Sequence, residues 1–243
     1  MSTSRTGRGV RISGIGVAVA ACLAAALPAT AATSYGPDAY ADGAWGGYVA
    51  NGQGFQSISG SWVQPAAQCT SYNDLYAPWV GIDGYGSSTV EQTGVETNCQ
   101  SGSPVNRPWF EMYPAAPQYW SDPVAAGDHL TGSVVDAGGG NYTITLTDDT
   151  KGWAEHTTQH LGAQDVSAEA VIESPTRSYP RFSELDFSDV TVNGQPFATY
   201  GPQPITSGGY DPGPLSGGNF AITPGGSAVP RHRSSQQPQL VRF

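Results

Sequence analysis

The chain has 243 residues, with ten Lys and Arg against twenty Asp and Glu, a formal charge of −10, and 32 glycines and 19 prolines. So acidic a surface repels phosphate backbones and anionic bilayers, which bind through Lys and Arg, and this excludes nucleic acid and membranes as partners of the mature protein. Glycine and proline at this density, with almost no helix-period segment, point to many short strands and turns.

Arg5, Arg8 and Arg11 precede the apolar run "GIGVAVAACLAAALP" and the A-x-A site Ala29-Thr30-Ala31. A charged n-region, a short h-region and small residues at the cut read as a secretory signal over residues 1–31, with an uncleaved anchor as the lesser alternative because the run is short and Ala/Gly-rich for a membrane span. Its removal takes away three arginines and no acid, so ten bases against twenty acids become seven against twenty, a balance of −13. At low pH those acids protonate and their mutual repulsion fades, so the fold is expected to tolerate acid. Residues 32–44 form a short, turn-rich leader with little room for a folded pro-domain.

The domain is expected over residues 45–208, beginning at "WGGYVANG". "FQSISGSWVQP" follows as an alternating strand, then "YAPWVGIDG", "STVEQTGV", "PWFEMYP", "HLTGSVVDAGGGNYTITLTDD", "SAEAVIES" and "LDFSDVTVNG". "DAGGGNYTITLTDDT" reads as a hairpin whose second strand alternates through Tyr142, Ile144 and Leu146. Only "TKGWAEHTTQHLG" leaves a short helical turn open beside strand and loop. Residues 209–243 are Gly/Pro-rich and end in a basic, polar tail expected to be poorly ordered. The sum is an all-β chain, an antiparallel sandwich or barrel.

Cys22 leaves with the signal, so Cys69 and Cys99 remain as one pair in an oxidising, extracellular compartment. A disulfide closing that loop stabilises the fold by roughly 3–4 kcal/mol on the chain-entropy model. Two cysteines so far apart, without C-x-x-C, do not make a zinc site.

Side chains in a strand alternate between faces, so each motif can be sorted. Trp79, Gly81 and Asp83 share one face, with Val80 and Ile82 on the other. Val90, Gln92 and Gly94 go together. Trp109, Glu111 and Tyr113 lie opposite Phe110 and Met112, and Glu169, Val171 and Glu173 lie opposite Ala168, Ala170 and Ile172. In three of the four strands one face is purely apolar, and the other mixes rings with carboxylates or an amide. That mixture is what a binding face carries, where rings hold a ligand and polar groups orient it. Gln92 cannot ionise, but its amide donates two N–H bonds and accepts through its oxygen. Beside one carboxylate it can share a water and then stabilise a developing oxyanion while the acid moves the proton.

Taken in order, "WVGIDG", "QTGV", "WFEMYP" and "SAEAVIE" resemble the glutamic peptidases, the eqolisins, whose patterns read W-V-G-I-D-G, L-Q-T-G-V, W-Y-E-W-Y-P and A-E-W-I-V-E. "WGGYV" and "SGSWVQP" upstream and "LDFSDVTV" downstream agree too, so the resemblance runs from Trp45 to about Asn193. It implies a secreted, acid-acting endopeptidase on two antiparallel sheets of the concanavalin A-like lectin or glucanase kind. It further implies catalytic Gln92 and Glu169, a cleft lined by Trp79, Asp83, Trp109 and Glu111, polypeptide substrates, a monomer, and no metal or other cofactor. Three of the departures from the pattern stand out. Ala170 replaces tryptophan and Phe110 replaces tyrosine, both on the apolar face. Glu91 replaces leucine and is expected to be exposed near a strand end.

Blander readings stand beside these. A lone strand glutamine or glutamate is usually a solvated surface residue, so Gln92 and Glu169 gain meaning only from the combined motifs. Asp83 in "GIDGYG" suits an Asx turn, Glu173 suits a structural acid, and Trp79 and Trp109 suit a core. A glycoside hydrolase using Glu169 with Glu111 or Glu173, or a carbohydrate-binding module, would sit on the same kind of sandwich. Glu169 and Glu173 are four apart on one strand, about 13–14 Å, too far for the usual carboxylate pair. His156 and His160 in "EHTTQH" do not form H-E-x-x-H, and there is no G-x-S-x-G elbow.

Overall fold

In a computed structural model residues 43–225 are described; the expected signal, the leader up to residue 42 and the tail from residue 226 lie outside them. The described strands, in chain order, are β1 (Trp45–Asn51), β2 (Ser57–Val63), β3 (Leu75–Asp83), β4 (Val90–Asn98) and β5 (Val105–Tyr113). Next come β6 (Gln118–Tyr119), β7 (His129–Asp136), β8 (Asn141–Asp148), β9 (Trp153–His160) and β10 (Ser167–Glu173). The last are β11 (Leu185–Val192), β12 (Gln195–Pro196), β13 (Gln203–Ile205), β14 (Tyr210–Pro212) and β15 (Phe220–Pro224).

Two antiparallel sheets result. One runs β13-β1-β10-β3-β4-β5-β6, the other β14-β15-β11-β2-β7-β8-β9, with β12 paired to β11. The segment left open in the sequence is β9, paired with β8 along its whole length from Asn141↔His160 to Asp148↔Trp153. Alternation explains it: Trp153, Glu155, Thr157 and Gln159 are half-buried while their neighbours are exposed, a period of two that no helix matches. Past Gly208 the chain still contributes strands, because β14 and β15 close one edge of the second sheet.

The main core lies between the sheets. Val80, Ile82, Ala168, Ala170, Ile172 and Met112 face Ile58, Trp62, Leu130, Ile144, Leu146 and Phe187. Gly60 and Gly132 sit opposite one another on β2 and β7. A Cβ at either would lie 3.0–3.1 Å from a methyl of Val80, so the pair forms the hollow into which Val80 is pressed. Val80 therefore pins β3, the strand that runs through the middle of the site described below. The disulfide Cys69–Cys99 joins the segment before β3 to the end of β4, at a Cα–Cα distance of 5.6 Å.

Candidate active site

On the face of the first sheet turned away from that core, antiparallel pairing aligns Glu169 with Gly81, Gly81 with Gln92, and Gln92 with Glu111. Directly paired residues point the same way, so three polar side chains and one hydrogen atom form a single row across β10, β3, β4 and β5. The glycine matters. A Cβ at Gly81 would lie 2.9 Å from Cζ3 of Trp79 and 3.0 Å from Cβ of Gln92. Its absence leaves Glu169 and Gln92 facing each other across two inter-strand spacings, about 10 Å backbone to backbone.

Gln92 Nε2 donates to Glu111 Oε2 at 2.6 Å. That bond fixes which way the amide faces, and Gln92 Oε1 has no partner among the described residues. Neither carboxyl oxygen of Glu169 meets hydrogen-bonding geometry with one either, although the Ser167 hydroxyl on the same strand face lies close enough to favour its ionised form. All three side chains are buried, with 0% exposure. Burial holds Glu169 well above the ordinary carboxylate value, and Asp83 and Glu91 add to the shift. Burial likewise pushes Glu111 up to about 8, with Glu173 contributing. Glu173, on the same face two turns of the pleat further along β10, accepts a hydrogen bond from Trp79 Nε1 at 3.1 Å and is pushed up to about 8, again by burial.

The rings of this face pack among themselves. Trp45, Trp79, Trp109, Val49, Val90, Val171 and Ile205 make a second apolar cluster, with Tyr85 and Tyr113 at its margin. Trp45 meets Trp79 edge to face at a centroid distance of 4.8 Å. Trp79 and Trp109 thus belong to the site face and not to the core between the sheets, although both are fully buried. An unpartnered carboxyl, an amide held by a second carboxyl and a wall of indoles can together accept a proton, donate to an oxygen and hold an extended chain.

Residues 43–205 match the sequence profile of the Peptidase A4 family. The chain belongs to that family. Its fold is that of solved glutamic peptidases. Scytalido-glutamic peptidase, solved with a transition-state analog inhibitor, superposes with a TM-score of 0.65 at 23% identity, covering 74% of this chain and 98% of that one. SCP-B, an eqolisin solved with the tripeptide Ala-Ile-His, gives 0.61 at 22% identity over 74% of this chain and 98% of its own. Aspergilloglutamic peptidase from Aspergillus niger gives 0.54 at 22% identity over 62% of this chain and 98% of its own. No curated protein matches the chain. As a member of the glutamic peptidase family it is an endopeptidase, a hydrolase of peptide bonds.

Within the peptidase, Asp83 does not join the row. It closes β3 with a left-handed φ of 66°, which breaks the alternation and turns its side chain away from Gln92 and Glu169. Its carboxylate accepts the backbone N–H groups of Gln164 (2.8 Å), Asp165 (3.1 Å) and Val166 (2.8 Å) and the Thr89 hydroxyl (3.2 Å). Asp83 is a clamp on the segment that leads into β10. Glu91 corrects the sequence reading: it is buried at 0% exposure, without a partner for either oxygen among the described residues, and is pushed up to about 9, mostly by burial and then by Asp83 and Asp165. The reading failed because Glu91 lies on the face opposite Gln92, which the pattern marks as apolar. Glu173 is placed as a structural acid, anchoring the Trp79 indole. The signal was present in its i, i+4 spacing from Glu169, which puts both on one strand face.

Proposed function

We propose that the protein is a secreted endopeptidase of unfolded polypeptides in which Glu169 and Gln92 act on a shared water. The observation that carries this reading is the row Glu169–Gly81–Gln92–Glu111, with a glycine between the acid and the amide. Glu169 in its ionised form takes a proton from water, which attacks the scissile carbonyl. Gln92 keeps one amide hydrogen for the oxyanion, because Glu111 engages the other. Glu169 then hands its proton to the leaving nitrogen, which balances the step without a metal or a covalent intermediate. Trp79 and Trp109 wall the chain being cleaved, and Asp83 acts through the segment it clamps.

Access and ionisation are coupled. The head groups are buried, so on this reading the cover of this face, with Tyr85 and Tyr113 at the margin of its apolar cluster, opens to admit a substrate. Opening hydrates Glu169 and removes the cause of its raised pKa. Glu111 and Glu173, at about 8, stay neutral on the acid side of neutrality and leave Glu169 as the charged carboxyl of the three beside Gln92 and Trp79. Catalysis on the acid side is what these features and the acidic composition support, and the reading takes the enzyme as a monomer acting away from membranes.

The test is hydrolysis of a denatured protein and of a polysaccharide from about pH 3 to about pH 8, wild type beside Glu169→Gln. Peptides are expected from the wild type on the acid side, resistant to chelators, serine reagents and thiol reagents, and none from the variant. Reducing sugar in place of peptides, or a folded Glu169→Gln that still cleaves, would overturn the reading.

A further inference from the structure

The second group of buried acids lies behind the site, between the sheets. Asp83, Glu91 and Asp165 each bring a carboxylate oxygen within 4.8 Å of the other two. Asp83 and Glu91 are fully buried and Asp165 is half-buried. Most of the cluster is accounted for. Asp83 has its backbone donors, and Asp165 Oδ1 accepts the Tyr142 hydroxyl at 2.7 Å. Glu91 is not: at 0% exposure, neither of its oxygens has a hydrogen-bond partner among the described residues, and it points at two other carboxylates. A buried acid without a donor is costly unless something positive meets it.

From this juxtaposition we propose that Asp83, Glu91 and Asp165 form a structural site for a hard divalent cation, calcium by preference. Calcium takes carboxylate oxygens at about 2.3–2.6 Å, so two ligands on opposite sides of one ion stand about 5 Å apart, the scale of this cluster. The donor set is oxygen alone, without histidine or thiolate, which disfavours zinc and copper. The glutamic peptidase pattern has leucine where this chain has Glu91, so the third ligand is a feature of this chain. The ion would tie the turn end of the β3–β4 hairpin to the segment entering β10, four residues before Glu169. It meets the face opposite the catalytic row, so its main effect is on stability; because Asp83 and Glu91 also help to raise Glu169, a bound cation would ease that shift.

Thermal unfolding of the full chain near neutral pH tests this, in about 10 mM calcium chloride against sodium chloride of equal ionic strength. Extracellular calcium modules bind at about 0.1–1 mM, so the wild type should gain about 5 °C over the sodium control. Glu91→Leu, which restores the family residue, should lose that gain, and Glu91→Gln does the same job if the leucine variant fails to fold. Terbium should bind at about one ion per chain, with emission sensitised through Tyr142 and displaced by calcium. Three results would each overturn the site: no gain beyond sodium chloride, an equal gain in the Glu91 variants, or stabilisation by acid with none by calcium.

Discussion

Two groups of buried carboxyls lie on opposite faces of the first sheet, one on β5 and β10 and the other on β3, β4 and the approach to β10, and they are held in opposite ways. On the site face an amide and an indole donate to carboxyls: Gln92 to Glu111 and Trp79 to Glu173. Glu169 is left with none among the described residues. On the core side the donors are mainly backbone N–H groups of residues 164–166, gathered on Asp83, with the Thr89 hydroxyl on Asp83 and the Tyr142 hydroxyl on Asp165, and Glu91 is the one left over among the described residues. Backbone donors fix a chain segment, whereas side-chain donors fix one another and leave room for a ligand. The difference teaches that a buried unpartnered acid is informative only together with what its neighbours are already doing.

Several substitutions would break that contrast. The largest effect after Glu169→Gln is expected for Gln92→Ala, which removes the oxyanion donor while the fold stays intact. The rate of peptide hydrolysis should fall by about 10²–10³, with unchanged circular dichroism; a folded variant within a few-fold of wild type would exclude the amide from the mechanism. Next comes Gly81→Ala. Its methyl would lie 2.9 Å from the Glu91 carbonyl and from the Trp79 ring. Overpacking of this kind costs about 1–3 kcal/mol, and hydrolysis should fall at least about tenfold because the gap between acid and amide is filled. Urea unfolding and steady-state kinetics on one preparation separate the two losses.

Smaller effects sharpen the comparison. Glu111→Gln keeps an acceptor for Gln92 and replaces a group that is already neutral below about 8, so its loss in acid should stay under about tenfold. Glu111→Ala leaves the amide unanchored and should lose more; equal losses would mean that the hydrogen bond does not orient Gln92. The mildest prediction concerns pH. Glu111 and Glu173 have folded values of about 8 against an ordinary 4.5, and Glu169 shifts the same way. Between those values the unfolded chain has released protons that the folded one still holds, so stability falls as pH rises from about 4.5 to about 8. In acid the trend reverses, because hydrogen bonds hold Asp74 and Asp128 below 3.8 and stability is lost as they protonate. Midpoints of thermal unfolding across pH should therefore peak near the ordinary carboxylate range, and a peak on the alkaline side of neutrality would contradict the burial of these acids.

The alternation of "WVGID", "VEQTG", "WFEMY" and "AEAVIE" carried the sandwich and the two faces of its first sheet, because a strand's period of two is a local property of the backbone. The family motifs carried Gln92, Glu169 and Glu111 as candidates. What no strand could show alone was the row itself, since it depends on which strands pair and in which register: β10 lies beside β3, and Gly81 falls between the acid and the amide only through long-range hydrogen bonds. Asp83 and Glu91 were decided at the same level. A left-handed turn at one end of β3 redirected the first, and the second sheet closing over β4 buried the other. Local sequence sets which face a side chain takes within a strand, whereas burial, partner and charge state come from whatever the fold packs against it.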